Sequence, residues 1–399
     1  MNDAARLGRR QRRRWLHRLA LGAGASILAL GLVRTFVGWV FPVASGSMWP
    51  TLDVGEWVFL RWDRSLPQRF DLVAFRSESG DALVKRVWGL PGEPVLIEPS
   101  GDVRVRSELV RGAGRPALVK VYDSRLHPVE DHWSHGGTEV DPWRRLELPD
   151  DGVVWEIDSR EVPERLDACL LRHHKGVHDD RLAPDGTIRY GSVTVHDLCL
   201  SADVFVVEGG GRLRFELREQ GDRIEFSLDL PQESGPSSGV VRRSRGSAHV
   251  EHARATFEVP IGRWFRVRFQ NIDDEISATL DEQPPVTCVY RQNTPHERVM
   301  AGDGRVDLEV VSLGERAYLG ADRAQVRFRG IVLQRDIHVP AAGAYGVGRE
   351  LKLGPDDFYV LGDDPTRSRD SRALGPISTT RLIGRPAAVV WPPRAWRRL

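Results

Sequence analysis

Six short runs in the second half of this chain alternate apolar with polar side chains: Leu213–Leu217, Ile224–Leu228, Ala255–Val259, Trp264–Phe269, Ile276–Leu280 and Val326–Leu333. A period of two sends successive side chains to opposite faces of an extended strand, so each run predicts a strand with one face buried. Six of them at hairpin-like spacing predict an antiparallel β-sandwich and exclude a helical bundle for that region. A length of 399 residues exceeds the usual single-domain size, so a mainly β protein of two or more units is expected.

Charge narrows the partners. Lys and Arg number 57 against 56 Asp and Glu, a net charge of +1, so no global field gathers nucleic acid and none is expected as a partner. Cys169, Cys199 and Cys288 form no Cys-x-x-Cys pair, which argues against a zinc ribbon or a thioredoxin-like motif. His173, His174 and His178 lie close together with Asp179 and Asp180 following, but histidines in so charged a stretch are expected to be solvated. Neither a metal nor another cofactor is expected. Trp133, Trp143 and Trp155 are expected in a core. The Ser-, Gly- and Arg-rich tract Gln232–Ser247 is expected to be a mobile loop.

At the N-terminus a basic cluster, Arg9-Arg10-Gln11-Arg12-Arg13-Arg14, precedes a largely apolar stretch from Leu19 to Phe41 with one charge, Arg34. A bilayer core needs roughly 20 mostly apolar residues as helix; Arg34 can reach the headgroups and Trp39 can sit in the interface. Residues 1–43 therefore predict a cytoplasmic leader and one transmembrane anchor. By the positive-inside rule the remainder lies on the extracytoplasmic side of the cytoplasmic membrane. The rival is a cleavable or twin-arginine secretory signal, with small residues at Ala44-Ser45-Gly46, but its cleavage would fall beside the most informative motif of the chain.

That motif is Ser45-Gly46-Ser47-Met48-Trp49-Pro50-Thr51-Leu52. A second is Ala82-Leu83-Val84-Lys85-Arg86-Val87-Trp88-Gly89-Leu90-Pro91-Gly92, a strand running into a Pro-Gly turn. A third is Val360-Leu361-Gly362-Asp363-Asp364, followed by Ser368-Arg369-Asp370-Ser371-Arg372. Singly they read as a polar turn, an edge strand with a solvated lysine, and a salt-bridged loop. In this order, after one apolar N-terminal segment, they resemble the type I signal peptidases over about residues 1–98 and 340–399.

The resemblance implies a membrane-bound serine endopeptidase that removes signal peptides from exported preproteins by cleaving after small, Ala-x-Ala-type residues. Carried onto this sequence, it makes Ser47 the nucleophile and Lys85 the general base. Ser45 becomes an oxyanion donor, Ser368 the group orienting the lysine, and Asp370 with Arg372 a supporting ion pair. By position, Val43, Met48, Leu83 and Val84 are expected to line the subsites. Here Ala44 stands where the family often has proline, and the Asp364–Ser368 loop also departs from the usual pattern. The chemistry is coherent: a serine hydroxyl needs a base, and a lysine amine can serve only if desolvation lowers its pKa of about 10.4 toward neutrality. Leu83, Val84, Val87 and Trp88 supply apolar surroundings.

Roughly 270 residues separate the second and third motifs, far beyond an ordinary loop, and must fold. Residues 44–100 and 338–399 are therefore expected to form a discontinuous signal-peptidase β-fold, with an inserted region at 101–337. Its sandwich, at about 195–337, resembles a concanavalin A-like jelly roll of the kind inserted in some planctomycete-type members. A glycan or protein ligand for it and a purely structural sandwich stand as equal readings; no Glu-x-Asp-x-x-Glu strand suggests a glycosidase. Two alternatives remain open: a membrane-anchored glycan- or protein-binding protein on a non-catalytic peptidase scaffold, and a soluble self-cleaving repressor. The repressor is disfavoured by the anchor and by the missing helix-turn-helix.

Overall fold

The computed structural model describes residues 38–63, 65–99, 101–110, 118–135, 141–162, 169–174, 176–183, 186–191, 194–219, 221–245, 248–290 and 316–399. These are mainly strand, and fall in two compact units, within Met1–Pro116 plus Val339–Leu399 and within Ala117–His338.

In the first unit an antiparallel sheet begins with β1 (Gly38–Pro42), β2 (Trp57–Arg61), β3 (Leu72–Arg76) and β4 (Ala82–Gly89). The strand Leu382–Trp391 lies between β2 and β3, and Asp357–Leu361 pairs with β4. Segments from both ends of the chain thus interleave in one sheet, which neither could complete alone. Adjacent residues of β3 point to opposite faces: Leu72 enters an apolar cluster with Met48, Leu52 and Val58, whereas Val73 joins Phe75, Val87 and Phe358. Each fully buried side chain of this size contributes roughly 1.5–3 kcal/mol.

The expected anchor needs one correction. Gly38–Pro42, read as the end of the apolar span, is a strand paired with Trp57–Arg61, and Trp39 faces Leu60 across the ladder. Aromatic and β-branched residues suit that half-buried surface. The rest of the proposed anchor lies outside the described residues, among which no helix is long and apolar enough to cross a membrane.

The second unit has two large antiparallel sheets. One includes Gln325–Arg335, Leu198–Glu208, Trp264–Ile272 and Glu275–Leu280; the other includes Ala248–Val259, Gly235–Arg245, Asp222–Asp229, Arg212–Glu219 and Arg316–Asp322. Their apolar faces share a cluster in which Phe226 of one sheet stacks on Phe269 of the other, with centroids 6.1 Å apart. All six alternating runs lie on these strands. Strands upstream of residue 195 join too, among them Trp143–Leu148 and Leu170–His173, and Trp133 and Trp143 are buried in the core. The expected loop at Gln232–Ser247 is instead largely the strand Gly235–Arg245. Val241 enters the core, while Arg243 and Arg245 bind the buried carboxylate of Asp222, so the polar composition belongs to an ordered, paired strand. His173 is also buried, packed edge-on against Trp133, rather than solvated. All three cysteines are free thiols.

Candidate active site around Ser47 and Lys85

Ser47 lies in the single turn Gly46–Met48 that follows β1, and it is buried. The turn is held from behind: the Asp364 amide donates to the Ser47 carbonyl at 3.0 Å, and the Leu52 amide to that of Met48 at 2.9 Å. Lys85 lies on β4 opposite Val73 of β3, and only 3% of it is exposed. Its ammonium donates to Ser47 Oγ at 2.6 Å and to the Val84 carbonyl at 3.0 Å. Burial lowers the Lys85 pKa from its usual value to about 8, opposed by the nearby Asp370 and Asp363 carboxylates, which favour the charged form. A lysine poised near neutral pH beside a hydroxyl can exchange a proton with it.

Ser45 Oγ lies 3.2 Å from Ser47 Oγ, and either can donate. Asp370, wholly buried, accepts from Arg372 Nε at 2.9 Å and Nη2 at 3.0 Å, and from the Gly362 amide at 3.1 Å. Arg372 Nη2 also donates to the Pro365 carbonyl at 2.5 Å, bracing the loop before Ser368.

Ser368 departs from expectation. Its Oγ is buried without a hydrogen-bond partner, so the bond to Lys85 is absent here. The amine is already engaged by Ser47 and Val84, while Ser368 packs against Gly362, where an added Cβ would fall 2.3 Å from Ser368 Oγ and 2.5 Å from the Ser47 carbonyl. Of the expected subsite residues, Val43 and Met48 are buried in a core cluster, whereas Leu83 and Val84 stay half-buried on β4.

Two ion pairs escaped the sequence reading. Arg86 donates to Asp363 through Nε at 2.8 Å and Nη2 at 2.6 Å, and to Thr51 Oγ1 at 3.1 Å. Arg397 grips Glu56 at 2.7 and 2.8 Å. Partners 277 and 341 positions apart carry no spacing signal. The only hint was that Arg86 and Asp363 fall within motifs chosen for their neighbours.

Residues 13–143 match the family model described as signal peptidase, peptidase S26. A signal peptidase I of Pseudomonas aeruginosa is 34% identical over 157 residues, covering 33% of this chain and 55% of the relative. A signal peptidase I of Pseudomonas fluorescens is 31% identical over 122 residues, covering 25% and 43%. A probable signal peptidase I-2 of Synechocystis is 31% identical over 106 residues, covering 24% and 48%. The chain thus spans about half the length of the curated relatives it matches. Over residues 13–143, which include both Ser47 and Lys85, the chain is thus similar to the signal peptidases of the peptidase S26 family.

Proposed function

We propose that the protein is a Ser-Lys endopeptidase that removes signal peptides from exported preproteins at the outer face of the cytoplasmic membrane. The observation that carries this reading is the 2.6 Å contact between a hydroxyl and a buried amine whose pKa is lowered to about 8. Neutral Lys85 takes the proton of Ser47 Oγ as it attacks the scissile carbonyl. The carbonyl oxygen becomes an oxyanion, and Ser45 Oγ, beside Ser47, is the proposed donor to it. The lysine then returns its proton to the leaving amine, giving an acyl-Ser47 ester that water hydrolyses. Once Ser47 is acylated the amine needs a new partner, and the unsatisfied hydroxyl of Ser368 is proposed to supply it. Asp370 and Arg372 hold that loop.

Val84 and Leu83, half-buried beside Lys85, are proposed to line shallow subsites for the small side chains before the cleaved bond, with Val43 and Met48 behind them. The basic leader and apolar stretch support a single membrane anchor. The facing sheets of the second unit support the jelly-roll-like reading of the insertion.

Incubation of the full chain in detergent with a preprotein tests the proposal. Cleavage after a small residue, lost in Ser47→Ala and Lys85→Met, is expected. An inactive wild type would instead favour a non-catalytic scaffold that binds glycan or protein, and an active Lys85→Met would remove Lys85 as the base.

A further inference from the structure

We propose that Arg397 is a positioning residue for Ser47, a role that rests on the peptidase reading above. For Ser47 Oγ to stay within 2.6 Å of Lys85 Nζ, the turn that bears it must keep its shape. The loop after Ser47 is fastened at Thr51 from two directions. On one side Thr51 Oγ1 donates to Asp363 and accepts from Arg86, the neighbour of the general base. On the other, Arg397 Nη2 donates to the Thr51 carbonyl at 2.7 Å.

The same guanidinium forks onto Glu56, Nη1 to Oε1 at 2.7 Å and Nη2 to Oε2 at 2.8 Å. Glu56 in turn closes the base of the loop: its Oε2 accepts from the Asp53 amide at 3.0 Å, and its carbonyl accepts from the Val43 amide at 2.8 Å. The 2.9 Å bond from the Leu52 amide to the Met48 carbonyl carries the constraint back to the residue beside Ser47. Exposed ion pairs contribute little to stability, but this carboxylate is only 5% exposed and the third bond lands on loop backbone. With the Ala395 carbonyl the guanidinium holds four acceptors in one fixed planar geometry, which the rotating donors of an ammonium do not impose.

The test uses the full chain in detergent and a preprotein substrate. Arg397→Ala should lower kcat about 10- to 100-fold with KM changed less than about twofold, since small misplacement of a reacting group costs that much. Arg397→Lys should recover part of the loss, and millimolar guanidinium added to Arg397→Ala should restore part of it. Arg398→Ala, on the same strand, should match wild type. A folded Arg397→Ala with wild-type kcat, or with its loss wholly in KM, overturns the proposal. Should Arg397→Ala not fold, Glu56→Gln decides, because it weakens the fork and keeps an acceptor for Asp53; unchanged kcat there overturns it equally. A wild type that cleaves nothing refutes the peptidase reading instead, so the two failures are distinguishable.

Discussion

Lys85 Nζ lies 2.6 Å from Ser47 Oγ although the two residues are 38 positions apart, and the amine that makes this contact is almost wholly sheltered from water. β4 is paired along its edges with β3 and with Asp357–Leu361, and Lys85 and Arg86 are both buried, so the lysine meets the serine turn rather than solvent.

Cleavage should follow deprotonation of that amine. With the Lys85 pKa lowered to about 8, kcat should climb tenfold per pH unit well below 8 and level off above it. A kcat profile flat between about pH 6 and 9 would remove Lys85 as the base.

The same burial has a cost in stability. In the folded protein the amine releases its proton near 8, in the unfolded chain only near 10.4, so the charged form is penalised in the fold and stability rises as pH climbs between those values. The penalty below pH 8 is roughly 3 kcal/mol. Lys85→Met removes it but loses two hydrogen bonds worth about 1 kcal/mol each. Thermal unfolding should show the variant slightly more stable at pH 7, with the gain fading toward pH 10; a large destabilisation at pH 7 would contradict this balance.

Ser45→Ala should lower kcat by ~10²- to 10³-fold, the usual effect of losing one oxyanion donor, and leave the unfolding midpoint unchanged. Wild-type turnover in this variant would leave the hydroxyl without a catalytic role.

Asp370→Ala strands the buried guanidinium of Arg372 and removes an acceptor from the Gly362 amide. Breaking a buried pair from one side typically costs ~3–5 kcal/mol, to be read from urea unfolding. A change below about 1 kcal/mol would show the pair to be dispensable.

Gly362→Ala would force a methyl between Ser368 and the Ser47 carbonyl. Overpacking of this kind costs about 1–3 kcal/mol, and the displaced nucleophile should lose about 10²-fold in kcat. Retention of full activity would mean that the Ser47 turn tolerates movement.

Much of the candidate site was legible because its chemistry is local. Ser45-Gly46-Ser47-Met48, Lys85-Arg86 and Gly362-Asp363 stand in short motifs, and alternation along Arg212–Glu219 or Trp264–Ile272 announces strands directly. Composition misled at Gly235–Arg245, where serine and arginine stand in a strand paired on both sides, and at His173, where a charged neighbourhood in sequence is not one in space.

The order of residues alone determined which side chains are able to react and which segments alternate, since both are properties of neighbours along the chain. Only the tertiary structure decided that Lys85 is dry, that Arg86 holds Asp363 and Thr51, that Arg397 holds Glu56, and that Ser368 is left without a partner. Burial and partnership depend on what distant segments bring into place, and pairings across hundreds of residues leave no periodic trace.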